Sequence, residues 1–280
     1  MHAAPQRAPD EVTSVTGTAF VVAEYRAEEN YAVEPLYRDE VVGIFLSAAS
    51  RRAASQVAGE FTEVRELVKL RTRYYDDMLE RQIAAGCRQV VVLGAGLDTR
   101  AVRKAAPGVR FFEIDDRATM ALKRYCLTQH NLADVAAFID GNYVTDGMLP
   151  LLVAHGFDVD VPTFVIWEGN TMYLDAATDR AILRQLAGGV AQVRVSFDYF
   201  VPEVITRTTG NEGMTRMADS FTAMNAPWVT GFADVRQLGA ETGLMLIENV
   251  TTAVLSHIYR PRAAAPTFGP FYAIATLGSF

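Results

Sequence analysis

Glu168 follows "TFVIW", a run apolar enough to be buried, and a carboxylate at its end is costly unless paired or used. Two more acids stand in comparable places: Asp115 ends "RFFEID" and Asp140 ends "AFID". Upstream, "QVVVLGAGLDTR" reads as a strand over Val90 to Leu93 and a tight turn at Gly94 and Gly96. Asp115 lies 21 positions beyond Gly94, near the spacing at which a carboxylate meets ribose hydroxyls in βαβ nucleotide sites. A glycine turn beside three strand-end acids implies a ligand rich in hydroxyl and amino donors. A nucleoside joined to an amino acid has them: ribose hydroxyls, an adenine amine and an α-ammonium. Plainer uses compete at each position. The glycines could serve only a turn, Asp115 or Asp116 could cap the next helix, and Asp140 with Gly141 is a common turn pair. Met172 and Tyr173 could be core, and Arg71 and Arg73 could be solvated helix charges. A nicotinamide fingerprint would want a third small residue at position 99, where Thr99 stands.

The acids share one rim only if the strands run parallel, and the pattern predicts that they do. Strand-like runs at 89–94, 109–115, 135–140, 162–168 and 190–199 alternate with helical runs near 98–106, 116–130, 144–155 and 176–187. Such alternation implies right-handed βαβ units, with ligands beyond the carboxyl ends of the strands. A helix near 231–242 is followed by strands at 244–250 and 271–277. With no helix expected between them, these two predict an antiparallel end to the sheet. Helical spacing also predicts helices over 12–30, with Ser14 or Thr16 as cap, around 39–49, and over 61–85, ending at Gly86 as a C-cap. Residues 202–226, with Met214, Met217 and Met224, break the rhythm and read as an inserted helical lid. The expected organisation is a loose tail at 1–11 and one domain over 12–280. That domain divides into a helical cap at 12–87 and a core at 88–280 carrying the lid.

Half of the 280 residues are hydrophobic, enough for a sizeable core. A net charge of −7 argues against holding nucleic acid or an anionic membrane by bulk charge. Cys87 and Cys126, with His2, His130, His155 and His257, show neither metal-ligand spacing nor a disulfide framework. The N-terminus lacks an apolar leader, and no stretch is long and apolar enough to span a bilayer. A soluble, cytoplasmic protein is expected.

"RTRYYDD", "VVVLGAGLDTRA", "FFEIDDRATMALKR" and "WEGNTMYL" resemble the leucine carboxyl methyltransferase-like family, from about Thr18 to the final strand. That family includes tetracenomycin-type polyketide O-methyltransferases and many actinobacterial S-adenosylmethionine-dependent methyltransferases. The resemblance implies an α/β, Rossmann-like class I methyltransferase fold: a mostly parallel seven-stranded sheet with an antiparallel last strand, a helical N-terminal extension and an inserted helical lid. It implies S-adenosylmethionine as cofactor and S-adenosylhomocysteine as product. Carried over, Arg71 would pair the methionine carboxylate, while Gly94, Ala95 and Gly96 would let backbone approach the methionine moiety. Asp115 would hold the ribose, Asp140 and the Gly141 backbone the adenine, and Glu168 the ammonium or sulfonium region. Arg26 sits where the family often keeps a basic residue near the cofactor. Asn170 departs from the family, which usually has an apolar residue there. It is therefore expected to orient an acceptor, in a pocket with Tyr173, Tyr25 and Tyr75.

A methyl sulfonium is already activated, so transfer is an in-line displacement that needs alignment and dryness rather than a metal. A carboxylate acceptor needs no base, a phenol or alcohol benefits from one, and an indole carbon loses its proton afterwards. No single base stands out in the sequence. The leading expectation is methylation of a small-molecule acceptor in specialised metabolism, such as antibiotic biosynthesis. Within the same fold the alternative is a protein C-terminal carboxylate. From other classes come an NAD(P)-dependent dehydrogenase, disfavoured by Thr99 and by the lack of Tyr-x-x-x-Lys, and a non-catalytic adenosine-binding regulator. A homodimer is among the assemblies compatible with this reading.

Overall fold

Val90 and Val92 of "QVVVL" pack into one apolar cluster, and Val91 and Leu93 into another. A strand buried on both faces must have helices on both, and this one does. The computed structural model describes residues 15–132 and 134–279; the expected tail at 1–11 and the proposed Ser14 cap lie outside them. Helices α1 (Val15–Glu28), α2 (Ala48–Glu60) and α3 (Thr62–Ala84) precede β1 (Gln89–Leu93). Then come α4 (Arg100–Arg103), β2 (Arg110–Asp115), α5 (Arg117–Gln129), β3 (Ala137–Asp140), α6 (Met148–Ala154) and β4 (Thr163–Trp167). The chain continues with α7 (Ala176–Gly189), β5 (Val193–Phe200), α8 (Pro202–Thr206), α9 (Glu212–Ala223) and α10 (Val235–Thr242). It closes with β6 (Met245–Thr251), α11 (Thr252–Tyr259) and β7 (Tyr272–Gly278).

Among the described residues the strands form one seven-stranded sheet ordered β3-β2-β1-β4-β5-β7-β6. Strands β1 to β5 pair in parallel, and β7 runs antiparallel to both β5 and β6. Residues from α3 (Leu70, Tyr74) and α5 (Met120) cover one face of the sheet. Residues from α6 (Leu152), α7 (Leu183) and α10 (Leu238) cover the other. A third apolar cluster lies off the sheet. It joins Val21 and Tyr25 of α1, Val68 of α3 and Met214 and Met217 of α9 to Trp228 and Tyr272. That cluster is where the N-terminal helices meet the 202–226 segment.

Polar side chains fix several helix starts. Asp116 accepts from the Ala118 and Thr119 amides at α5, and Asp175 accepts from the Thr178 amide at α7. Two expectations fail in detail. The helix expected over 39–49 is instead a tight turn at Val42–Phe45, followed by α2 from Ala48. There Asp39 accepts from the Val42 amide, and Ser47 with Ser50 forms a reciprocal cap that starts the helix later. The connection between β6 and β7, expected without a helix, holds α11, started by the Thr251 hydroxyl accepting from the Val254 amide.

Asp179, in the first turn of α7, is fully buried with no partner for either carboxylate oxygen. The helix dipole favours a negative charge there. Burial outweighs it, and with Asp175 nearby the carboxyl is pushed up to about 8. An acid whose pKa is raised on folding stabilises the fold below its unfolded pKa, and that contribution is lost as pH rises through the folded value. Asp179→Asn, neutral throughout, should match the wild type at about pH 4 and exceed it by ~1–3 kcal/mol at about pH 8. Denaturant unfolding at the two pH values measures the difference; an unchanged pH dependence would place the effect elsewhere.

Candidate active site

The strand order reverses between β1 and β4, and the loops after these two strands open a cavity of about 880 Å3, partly open to solvent. Gly94, Ala95 and Gly96 from the first loop line it, with Asp115 after β2 and Glu168, Gly169 and Asn170 after β4. Gly94 and Gly96 have φ of +62° and +47°. At Gly94 a side chain is barred twice, because a Cβ would also lie 2.2 Å from Asn170 Oδ1.

Each acid on the rim is held differently. Asp115 accepts from the Gly96 amide at 2.6 Å and from the Asp116 amide at 2.7 Å. Burial pushes its carboxyl up to about 6 against the pull of those two amides. A carboxylate has about four acceptor sites, so Asp115 keeps capacity for further donors. Glu168 accepts from Arg71 Nε at 2.9 Å and from Arg100 Nη1 at 2.8 Å. Arg100 is itself buried and pairs Asp76 and Asp98. Burial opposes ionisation of Asp98, but Arg100, Arg26 and Lys123 outweigh it and hold that carboxyl well below the usual range. Arg26 lines the cavity, donates to the Leu97 carbonyl at 2.5 Å and pairs Asp39 at 3.3 Å. These pairs fix the glycine loop from behind.

Asp140 and Gly141 do not line this cavity. Asp140 is over a third exposed and faces Arg117 at 3.4 Å and Arg124 at 3.7 Å. Asn170 also departs from its expected place. Its amide donates to the Glu168 carbonyl at 2.7 Å and the Leu93 carbonyl at 3.2 Å, tying together the two loops that line this cavity.

A second cavity, about 760 Å3 with the space it opens to solvent, adjoins the first, sharing Thr18, Val22, Arg71 and Gly169 as a common wall. It is lined mainly by apolar side chains, among them Val21, Val68, Met172, Phe200, Met217 and Trp228. Tyr25 and Tyr173 line it, whereas Tyr75 lies buried behind it with its hydroxyl 3.4 Å from Asp198. At the common wall Arg71 Nη1 donates to Tyr272 at 2.7 Å and to Asp198 at 3.2 Å. Burial opposes the Arg71 charge, but Tyr272, Glu168 and Asp198 together keep it charged. Asp198 and Tyr272 were not singled out in the sequence. The available signal was an acid inside "VRVSFDYF", a run otherwise apolar enough for a buried strand.

The family model described as leucine carboxyl methyltransferase matches residues 19–187, which include the glycine loop, Asp115 and Glu168. The chain belongs to that family. It is an S-adenosylmethionine-dependent methyltransferase. A relative from Frankia alni, provisionally named as an S-adenosyl-L-methionine-dependent methyltransferase, is 30% identical over 83% of this chain and 85% of its own length. A similarly named protein of Mycobacterium marinum is 32% identical over 72% of this chain and 71% of its own. Among solved structures, a DUF574 family protein from Streptomyces avermitilis aligns at a TM-score of 0.63 with 14% identity, covering 94% of this chain and 97% of that one. Magnesium protoporphyrin IX methyltransferase from Synechocystis, solved with bound S-adenosylhomocysteine, aligns at 0.51 with 10% identity over 94% and 100%. At those identities the likeness is one of fold. The methyltransferase's first cavity suits its cofactor: Arg71 and Glu168, opposite charges side by side, complement an amino acid's carboxylate and ammonium.

No helix among the described residues is long and apolar enough to cross a membrane.

Proposed function

We propose that this enzyme methylates a small, largely apolar acceptor of specialised metabolism, held in the second cavity. The observation that carries the reading is the shared wall: a charged, glycine-turned cavity and an apolar one meet at Arg71 and Gly169. When bound, S-adenosylmethionine supplies a methyl group on a positively charged sulfur, activated for displacement. Arg71 and Glu168 hold its amino-acid end, Asp115 accepts from the ribose hydroxyls, and the Gly94–Gly96 backbone leaves room for the chain between. Asp140 and Gly141 stand one strand further along the rim, so any adenine contact they make is peripheral. Helices α1 and α9 close the second cavity as a lid and keep water from the transfer. Met172 and Met217 give it an adaptable apolar wall.

Calorimetry with S-adenosylhomocysteine and with NAD tests the cofactor half. Heat from NAD alone would overturn it. The acceptor half is tested by Met217→Trp, which fills the cavity without touching the glycine loop. Affinity for S-adenosylhomocysteine should stay within about twofold, while transfer of labelled methyl to extract acceptors should fall about a hundredfold. Full transfer by Met217→Trp would move the acceptor elsewhere. The same assay with peptides ending in a free leucine carboxylate examines the protein-directed alternative, and methylation of those peptides in preference would replace the small acceptor.

A further inference from the structure

The polar groups that line the apolar cavity are not equivalent. The Tyr25 hydroxyl is spent on the Ala54 carbonyl at 2.8 Å, and Tyr173 lies against Trp228 and Thr18. Tyr272 differs, because its hydroxyl is hydrogen-bonded to a carboxylate, Asp198, and to Arg71 of the wall shared with the cofactor cavity. We propose that Tyr272 and Asp198 form a proton-accepting relay for a hydroxyl acceptor, a phenol or an alcohol, bound in the apolar cavity. This rests on the reading of that cavity as the acceptor site, and it adds the acceptor's chemical class.

The Tyr272 oxygen donates its proton to Asp198 and accepts from Arg71, which leaves it one further lone pair for an acceptor hydroxyl. The step balances. The acceptor oxygen forms the new bond to the methyl carbon, and the electron pair of the breaking carbon–sulfur bond stays on sulfur. The acceptor's proton passes to the Tyr272 oxygen as the Tyr272 proton passes to Asp198. Asp198 ends neutral and later returns the proton to water.

Surroundings on every side suit Asp198 to that role. Arg71 and Tyr75 face it from α3, Glu168 and the Gly169 amide from the loop after β4, and Tyr272 from β7. Burial raises its carboxyl above the ordinary range, opposed by Arg71 and assisted by Glu168, so it holds a proton more readily than a surface aspartate. The same surroundings disfavour a carboxylate acceptor. It has no proton to give, it would meet Asp198 and Glu168, and the Arg71 guanidinium at the common wall is engaged by the cofactor in the proposed complex.

The experiment uses the whole protein with S-adenosylhomocysteine and para-nitrophenol, whose ionised form absorbs at longer wavelength than the neutral phenol. At a pH below the probe's own pKa, the wild-type complex should bind it saturably with the ionised band. Tyr272→Phe and Asp198→Asn should bind it with the neutral spectrum, and Tyr272→Phe, which leaves Arg71 its pairs with Glu168 and Asp198, should keep S-adenosylhomocysteine affinity within about tenfold of wild type. With S-adenosylmethionine, labelled methyl transfer to the probe should fall about a hundredfold in Tyr272→Phe. A neutral spectrum in the wild type, no saturable binding, or the same ionised band in both variants would overturn the relay. Loss of S-adenosylhomocysteine affinity in a folded Tyr272→Phe would also overturn it, as the mark of a structural role. The wild-type spectrum decides alone if a variant fails to fold. Failure of the wild type to bind S-adenosylhomocysteine at all would instead remove the methyl-transfer reading beneath it.

Discussion

Arg71→Met is expected to weaken S-adenosylhomocysteine binding on the order of a hundredfold or more, since it removes a charged, forked donor from the ligand's carboxylate. The same substitution should cost about 3 kcal/mol of stability, because it leaves a buried carboxylate without its cation. Glu168 would keep Arg100 at 2.8 Å, so the burden falls on Asp198, which retains only neutral donors from Gly169, Tyr75 and Tyr272. Arg71→Lys separates the two effects. An ammonium restores charge near Asp198 but cannot reach Glu168 and Tyr272 together as the guanidinium does. Its stability should recover more fully than its affinity. Calorimetry and denaturant melts on both variants measure this, and wild-type affinity in a folded Arg71→Met would remove Arg71 from the cofactor site.

Much of the sheet was legible because strands such as β1, β4 and β7 are buried on both faces. A run such as "VVVL" or "TFVIW" can hardly be anything else once bounded by glycine or an acid, and the seven strands fall within a few residues of their expected places. The antiparallel end was expected from two closing strands with no helix between them; the pairing is antiparallel, but α11 does lie between them. Helix α11 is eight residues long, too short to show a convincing period, and the hydroxyl cap that starts it looks like ordinary strand content. Near Val41–Leu46 the apolar spacing matched a helix, but local hydrogen bonds from Asp39 and Ser47 decided the backbone there.

At the proposed site, residues at strand ends were easier to place than those whose position depends on side-chain direction. Gly94, Asp115 and Glu168 sit at strand ends, where topology alone brings them to one rim. Asn170 and Tyr75 needed side-chain direction, which spacing does not supply. Asn170 turns back onto the glycine loop, and Tyr75 faces inward to Asp198. Asp198 and Tyr272 come from β5 and β7, 74 residues apart, and only the antiparallel pairing brings them together. No local pattern encodes such a pair.

Asp115 is expected to tie cofactor binding to pH. In the free enzyme burial sets its carboxyl at about 6, against the Gly96 and Asp116 amides. Ribose hydroxyls can donate to the ionised form, whereas a protonated carboxyl offers them fewer acceptor sites. Affinity for S-adenosylhomocysteine should therefore fall as pH drops below that value, approaching tenfold per pH unit for one coupled proton. The bare fold responds in the opposite sense. An acid whose pKa is raised on folding contributes stability below its unfolded pKa, and loses it as pH rises from about 4 through the folded value. In that window, raising the pH weakens the empty protein at this position and strengthens its complex. Asp115→Asn should abolish both slopes and lower affinity at about pH 7 by about tenfold to a hundredfold, the worth of a charged hydrogen-bond partner. Calorimetry at about pH 5 and about pH 7, with melts of the ligand-free protein at the same values, reads both responses. If the asparagine variant keeps the wild-type affinity and its pH slope, Asp115 only orders the Gly96 and Asp116 amides, and the ribose is held elsewhere.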